Sequence, residues 1–512
     1  MKDTKFKIQN SKFFRIFLFL SVSLTSFVFA ANAQETPPAP SAPRSVKIPS
    51  VQEKTLLNGL KVVVVERKNV PLVTASLLVK SGANVEDDAL AGVADLTASM
   101  LLKGTKTRSA TQIAQDIEFL GGNINSGAGW NSSNVTVNVT SDKLDKALAI
   151  MSDVVLNPTF LPKEIELYKT QTLDNLNVQL KQPRSLAGFV ASRYSFDEHA
   201  AAGTPETIAK ISQSDIIKFY QKAYLPTDAV LIFAGDISDE DAMSLAKKYF
   251  GNWKSTAKPM TKPDTITQDN LSEKERTKFN QNMKVVNRFL VIDLPNSGQA
   301  AVGYANKLKS GRSGNEYFPA LVTNTVLGGG YSARLNEEIR IKRGLSYGAG
   351  SNISWRASDS NFFAYAQTKN VSAAQVAELV EAEIEKLTGE PVLTDELNPR
   401  KATLNGNFGR SLETTRGLAG QIGELYLYGI NTDELNSYMS NVQKISDKQV
   451  ENFALSNLKG GDIIIVGDAK VFMDDLKKRF PNQKIEVISA DDLDLNSPTL
   501  RKKNTTKSLS KK

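Results

Sequence analysis

The chain has 512 residues, 41% hydrophobic and 23% charged, ordinary globular material long enough for more than one domain. With no cysteine and one histidine, His199, it has no disulfides or thiolate nucleophiles and too few nitrogen and sulfur donors for the usual catalytic zinc sets, so a self-contained zinc hydrolase is not expected. The net charge of +8 is no nucleic-acid signal, because much of it lies at the two ends of the chain.

In chain order, a basic stretch (Lys2, Lys5, Lys7, Lys12, Arg15) precedes an apolar run, Ile16 to Ala30, and the small-x-small site Ala31-Asn32-Ala33. This order predicts a cleavable signal peptide over residues 1–33 and export, to the periplasm in a bacterium. The run is short of the roughly twenty residues that span a bilayer, which leaves an uncleaved anchor as the alternative. Residues 34–50, rich in Pro, Ala and Ser, read as a flexible leader. Val51 to Leu57, Asn58-Gly59 and Leu60 to Glu66 read as a hairpin, and Pro71 to Val79 continues the strand pattern. Apolar residues recur at helical spacing from Leu90 to Leu102, and Ser109 caps a second helix to Leu120. Strands near Asn123 to Ser126 and Val135 to Val139 follow, then helices over Ser141 to Val155 and Pro162 to Lys181. His199 lies in a loop-like stretch and is read as structural or solvent-exposed.

Two blocks repeat. Ala229 to Gly235-Asp236 is an apolar strand closed by Gly-Asp, with a helix ending in Lys247-Lys248-Tyr249-Phe250. About 230 residues later, Asp462 to Gly467-Asp468 leads to a helix ending in Lys477-Lys478-Arg479-Phe480. The helix ending at Lys103-Gly104-Thr105 has a counterpart in Tyr317 to Leu327, which ends in Gly328-Gly329-Gly330. An internal duplication is expected, with lobes at 51–253 and 286–485, a polar linker at 254–285 and a basic tail at 486–512. The mixed strands and helices predict an α+β fold, two homologous layered sandwich lobes forming a two-lobed shell around a cavity.

Gly92-Val-Ala-Asp95-Leu-Thr-Ala98-Ser99-Met100-Leu-Leu-Lys103-Gly104-Thr105 resembles the zinc helix of the insulinase/pitrilysin-type metallopeptidases, a family that includes the mitochondrial processing peptidases. In its active members two histidines four apart bind zinc, and a glutamate between them takes a proton from the zinc-bound water. The resemblance puts Asp95 and Ser99 at the histidine positions and Ala98 at the glutamate. A distant third ligand would fall near Asp174-Asn175, with Asn175 the best match; binding of another cation by Asp95 and Asp174 is the alternative.

Gly328-Gly-Gly-Tyr331 through Arg340-Ile-Lys342-Arg343-Gly344-Leu345-Ser346-Tyr347 is similar to the family's carboxyl-terminal signature. There an arginine and a tyrosine reach the substrate carbonyl, which implies Arg340 and Tyr347 here, with Arg343 as the runner-up arginine. Gly121-Gly122-Asn123-Ile124-Asn125-Ser126 resembles the edge strand on which substrates pair, which implies substrate contacts at Asn125 and Ser126. The resemblance therefore implies the non-catalytic subunit of a periplasmic heteromer, inactive alone. It would supply Arg340 and Tyr347 to an active partner whose His-x-x-Glu-His helix carries the zinc. No cofactor of its own and no nucleic acid are expected. A stand-alone peptide-binding or scaffold protein of the cell envelope is the alternative.

Overall fold

The computed structural model describes residues 48, 50–254 and 288–502. The expected signal peptide, nearly all of the leader and of the linker, and residues 503–512 of the tail lie outside the described residues.

The amino-terminal half builds a six-stranded sheet in the order β1-β2-β6-β3-β5-β4. Its strands are β1 (Gln52–Thr55), β2 (Lys61–Glu66), β3 (Leu72–Val79), β4 (Asn123–Ala128), β5 (Ser133–Thr140) and β6 (Ala229–Gly235). The turn between β1 and β2 needs Gly59, whose φ of +89° is left-handed. β2 reads Val-Val-Val-Val at its centre rather than alternating, because residues 62–65 are buried on both faces of the sheet. The helices are α1 (Val93–Met100), α2 (Ala110–Phe119), α3 (Leu144–Leu156), α4 (Pro162–Gln179), α5 (Pro183–Tyr194), α6 (Pro205–Lys210), α7 (Gln213–Ala223) and α8 (Asp239–Phe250). Ser109 starts α2 through a reciprocal capping box with Gln112.

The carboxyl-terminal half repeats the plan. Its sheet runs β12-β7-β11-β8-β10-β9, built from β7 (Phe289–Asp293), β8 (Ala300–Lys307), β9 (Ser346–Ser354), β10 (Asn361–Thr368), β11 (Asp462–Gly467) and β12 (Ile485–Ser489). Its helices are α9 (Tyr317–Leu327), α10 (Ala373–Gly389), α11 (Thr394–Glu413), α12 (Thr415–Leu427), α13 (Glu434–Lys444), α14 (Asp447–Asn457) and α15 (Ala469–Arg479). In both halves the Gly-Asp strand pairs parallel with one strand and antiparallel with the strand that follows it in the chain, β6 with β2 and β3, β11 with β7 and β8. The duplication is thus carried by strand pairing as well as by sequence, and the fold is α+β with two homologous lobes.

One expectation needs correction. The basic tail does not start at 486, because Ile485–Ser489 adds to the sheet as β12, parallel to β7. Ile488 and Leu500 are buried against the far face of that sheet, so the apolar residues among these charges hold the segment in place through residue 502.

The halves exchange helices. α12 of the carboxyl-terminal half lies on β3 and β6 of the amino-terminal sheet, where Leu418, Ile422 and Leu425 join Val63, Val230 and Ile232 in one core. A side chain at Gly423 would meet Ile232 Cδ1 at 3.4 Å, a measure of how closely the helix approaches. Reciprocally, α5 covers β8, β10 and β11, with Leu186 and Val190 against Leu290, Ala301 and Ile464. Each fully buried Leu, Ile or Val contributes about 1.5–3 kcal/mol, so each half depends on the other for one face of its sheet. Polar pins cross the same seam: Thr74 Oγ1 to Thr415 Oγ1 at 2.8 Å, and Arg356 Nη2 to Glu198 Oε2 at 2.7 Å.

Candidate functional site

Two places correspond to the motifs singled out above. The first is α1 and its surroundings. The helix starts after Gly92, which has φ +97° and no room for a side chain beside Ile208. The buried Glu86 carboxylate accepts the backbone N–H groups of Gly92 (2.9 Å) and Ala94, a negative charge placed where the helix dipole favours it. His199 holds that carboxylate from outside, Nε2 to Glu86 Oε2 at 3.1 Å, while Nδ1 faces Asp88 Oδ1 at 3.2 Å. Only the imidazolium donates from both nitrogens. Burial is the largest single influence and opposes its charge, but hydrogen bonding and charge attraction to Glu86 and Asp88 together outweigh it and raise the pKa of His199 above its usual value. Burial also pushes the Glu86 carboxyl up. Three donors converge on it, however, which is the environment of a carboxylate, so the raised His199 is the governing direction. The single histidine is a clamp for the start of α1.

Along α1, Asp95 is half-buried, and burial pushes its pKa up. Ala98 is fully buried and its carbonyl accepts the Ser126 hydroxyl at 2.7 Å. Ser99 Oγ lies 2.8 Å from Tyr168 Oη, a contact from α4 that the motif alone does not show. The structure therefore gathers Asp95, Ala98, Ser99, Ser126 and Tyr168. Asp174 and Asn175 are solvent-exposed, as is Asn125, whose amide donates to Asn123 Oδ1 at 3.1 Å. Tyr168 lies two helical turns before Asn175 on α4, and that i, i+7 relation is the signal that would have found it.

These residues do not fit a zinc ion. α1 offers one carboxylate, half-buried, its serine hydroxyl is engaged by a phenol, and position 98 carries a methyl group in place of a base. Among the described residues, no three His, Cys, Asp or Glu side chains are grouped to hold a metal.

The second place follows α9. Gly328 passes against β9, where a side chain would strike the Ser351 backbone N at 2.3 Å and where that N–H donates to the Gly328 carbonyl at 3.0 Å. A short helix, Arg334–Asn336, runs into a π-helical turn, Glu337–Ile341. Arg334 is tied to Glu396 at 2.7 Å, and Arg343 and Lys342 both pair with Glu338. Arg340 has no carboxylate partner among the described residues and instead lies 5.2 Å from the centre of the Tyr331 ring. Tyr347 stands at a bulge where β9 slips register against β10, fixed by Ser346, whose hydroxyl donates to the carbonyls of Gly348 or Gln367 at 2.7 Å. Its side chain is 87% exposed. Arg340 also lines a cleft of about 390 Å³ with the three glycines, Tyr331 and Tyr365. β9, like β4 in the other half, is the edge strand of its sheet.

Residues 61–198 match the family model for Insulinase (Peptidase family M16), and residues 210–404 match that for the Peptidase M16 inactive domain. The chain belongs to the insulinase peptidase family. Among its insulinase-family relatives, an uncharacterized zinc protease of Rickettsia felis is 26% identical over 424 residues, covering 81% of this chain and 98% of the relative. One of Mycobacterium leprae is 24% identical over 412 residues, covering 80% and 88%. Among solved structures, a peptidase M16 inactive domain from Pseudomonas fluorescens superposes with TM-score 0.71 at 25% identity, over 81% of this chain and 98% of that one. The periplasmic protease PqqL of Escherichia coli shares the fold, with TM-score 0.65 and 16% identity over 87% of this chain and 52% of that one. Among the described residues, no helix is long and apolar enough to cross a membrane.

Proposed function

We propose that the chain is the non-catalytic subunit of a periplasmic zinc metallopeptidase heteromer. It supplies Arg340 and Tyr347 to a peptide held by an active partner of the same family, and zinc is expected only in that partner. One contrast carries the reading: the polar groups of α1 are spent on one another, whereas Arg340 lacks a carboxylate partner among the described residues and Tyr347 is open to solvent. A guanidinium and a phenol donate hydrogen bonds to a carbonyl oxygen as it gains charge, which favours the transition state over the bound peptide. The edge strand β4, with Asn125 and Ser126, offers backbone pairing to an extended peptide. Since the Ser126 hydroxyl is already bonded to the Ala98 carbonyl, its contribution there comes from the main chain. Periplasmic placement is supported by the signal-like amino terminus and the shared fold with PqqL.

Alone, the purified chain is expected to hold no stoichiometric zinc and to cleave nothing; activity appears on mixing with its partner. Arg340→Ala or Tyr347→Phe lowers the mixed activity about 100-fold. Unchanged activity in both variants overturns the assignment. The alternative, a stand-alone peptide-binding or scaffold protein of the envelope, is favoured by the same exposed Tyr347 and edge strands, which need no metal to hold a peptide. Isolation from the native envelope without a His-x-x-Glu-His chain would select it.

A further inference from the structure

The cleft beside Arg340 has a chemistry of its own. Its lining includes one guanidinium and two phenols but no carboxylate. Its other polar side chains are already committed: the Asn336 amide donates to the Tyr331 carbonyl and accepts from the Ala349 N–H, and the Ser351 hydroxyl donates to Asn324 Oδ1 at 2.8 Å. Among the described residues, the backbone N–H groups of Gly330 and Tyr331 have no protein acceptor. From the amino-terminal half, α5 brings the Arg184 guanidinium to 4.1 Å from the centre of the Tyr365 ring, a second cation behind the cleft wall.

The neighbouring cleft, of about 530 Å³, is the useful contrast. It holds Arg334, Lys342, Lys386 and Arg400, but also Glu337, Glu338, Glu383, Glu390, Asp395 and Glu396, so its charges are answered internally. In the smaller cleft they are not. A guanidinium with unanswered donors, phenol hydroxyls and free backbone N–H groups together make a receptor for an anion.

We propose that the cleft lined by Gly330, Tyr331, Arg340 and Tyr365 binds a carboxylate of the peptide, with Arg184 as a positioning residue that acts through the Tyr365 ring. This rests on the peptide-binding role of Arg340 proposed above and adds the class of peptide preferred. The five N–H donors of the guanidinium allow it to serve a carboxylate and a carbonyl together.

The test is fluorescence anisotropy of the full chain with labelled extended peptides that differ at one point: a central Glu or Gln, each with a free or amidated carboxyl terminus. The Glu peptide, or the one with a free terminus, binds about tenfold tighter than its neutral counterpart, and the four arms tell side chain from terminus. Arg184→Gln and Tyr365→Phe reduce that ratio by weakening the charged peptide more than the neutral one, while Arg184→Lys preserves it. If Arg184 served only stability, its loss would weaken both peptides alike, and that result overturns its role. Equal affinity for charged and neutral peptides overturns the carboxylate site but leaves the peptide-binding reading standing. Failure to bind any of the four overturns both.

Discussion

Two edges of one duplicated plan can be set side by side. In the amino-terminal half, α1 runs beside the edge strand β4, and its polar groups are turned inward: Ser99 meets Tyr168, the Ala98 carbonyl accepts the Ser126 hydroxyl, and Asp95 is half-buried. In the carboxyl-terminal half, the segment after α9 runs beside the edge strand β9, where Arg340 rests on an aromatic ring and Tyr347 stands 87% exposed. The same scaffold has been kept in both places. It is furnished for internal packing in one and for contact with another molecule in the other, so fold and function are separable properties of this chain.

The sharpest way to break the comparison is to ask whether the halves are independent. Because α12 completes the amino-terminal sheet and α5 the carboxyl-terminal one, damage to one helix should destabilise both. Ile422→Ala removes a fully buried side chain from the seam and is expected to cost about 3 kcal/mol. Calorimetry should show one transition moved to lower temperature, equally by far-UV and near-UV signals. Two separated transitions would mean that the helix exchange does not couple the halves.

That coupling was the part least legible in the sequence. The Asn58-Gly59 turn, the Lys103-Gly104-Thr105 stop and the two strand–Gly–Asp blocks are local signals, and the hairpin, α1, β6 and β11 stand where those signals put them. Which sheet a helix covers is a long-range fact, and apolar spacing on α5 or α12 does not name its partner. β12 was hidden because Ile485, Val487 and Ile488 are diluted by charges and only two face inward enough to be recognised. At the site, the degenerate helix and the carboxyl-terminal signature could be read from residue types. The clamp on Glu86 could not, since His199 lies 113 residues away along the chain.

The clamp gives the next prediction. His199 faces Glu86 and Asp88; Arg193 pairs with Asp88 at 3.2 Å, and the Trp130 ring, 4.9 Å from the imidazole, carries Arg356, which is paired with Glu198. The folded-state pKa of His199 lies above the ordinary imidazole value of 6.5, so the stability it contributes is fully present below pH 6.5 and is lost as pH rises through the raised value. His199→Gln should cost about 2 kcal/mol at pH 6, because a buried carboxylate loses a charged donor, and should flatten stability against pH above neutrality. An unchanged slope in denaturant titrations between pH 6 and 8.5 would show that the imidazole is neutral and merely packed.

The smallest effect bears most directly on the contrast between the two edges. Burial raises the pKa of Asp95 above the ordinary aspartate value of 3.8, so the stability linked to its neutral form is present below pH 3.8 and lost as pH rises through the folded-state pKa. At neutral pH the ionised carboxylate is therefore a burden on the fold. Asp95→Asn keeps the shape of the side chain and removes the charge, so it should raise the melting temperature at pH 7, by at most about 1 kcal/mol of stability. If α1 is only scaffold, peptidase activity of the mixed subunits is unaltered in this variant, in contrast to the large loss expected from Arg340→Ala. Were activity to fall while stability rose, Asp95 would have been retained for use at a cost to the fold, and the amino-terminal edge would have to be counted as functional alongside the carboxyl-terminal one.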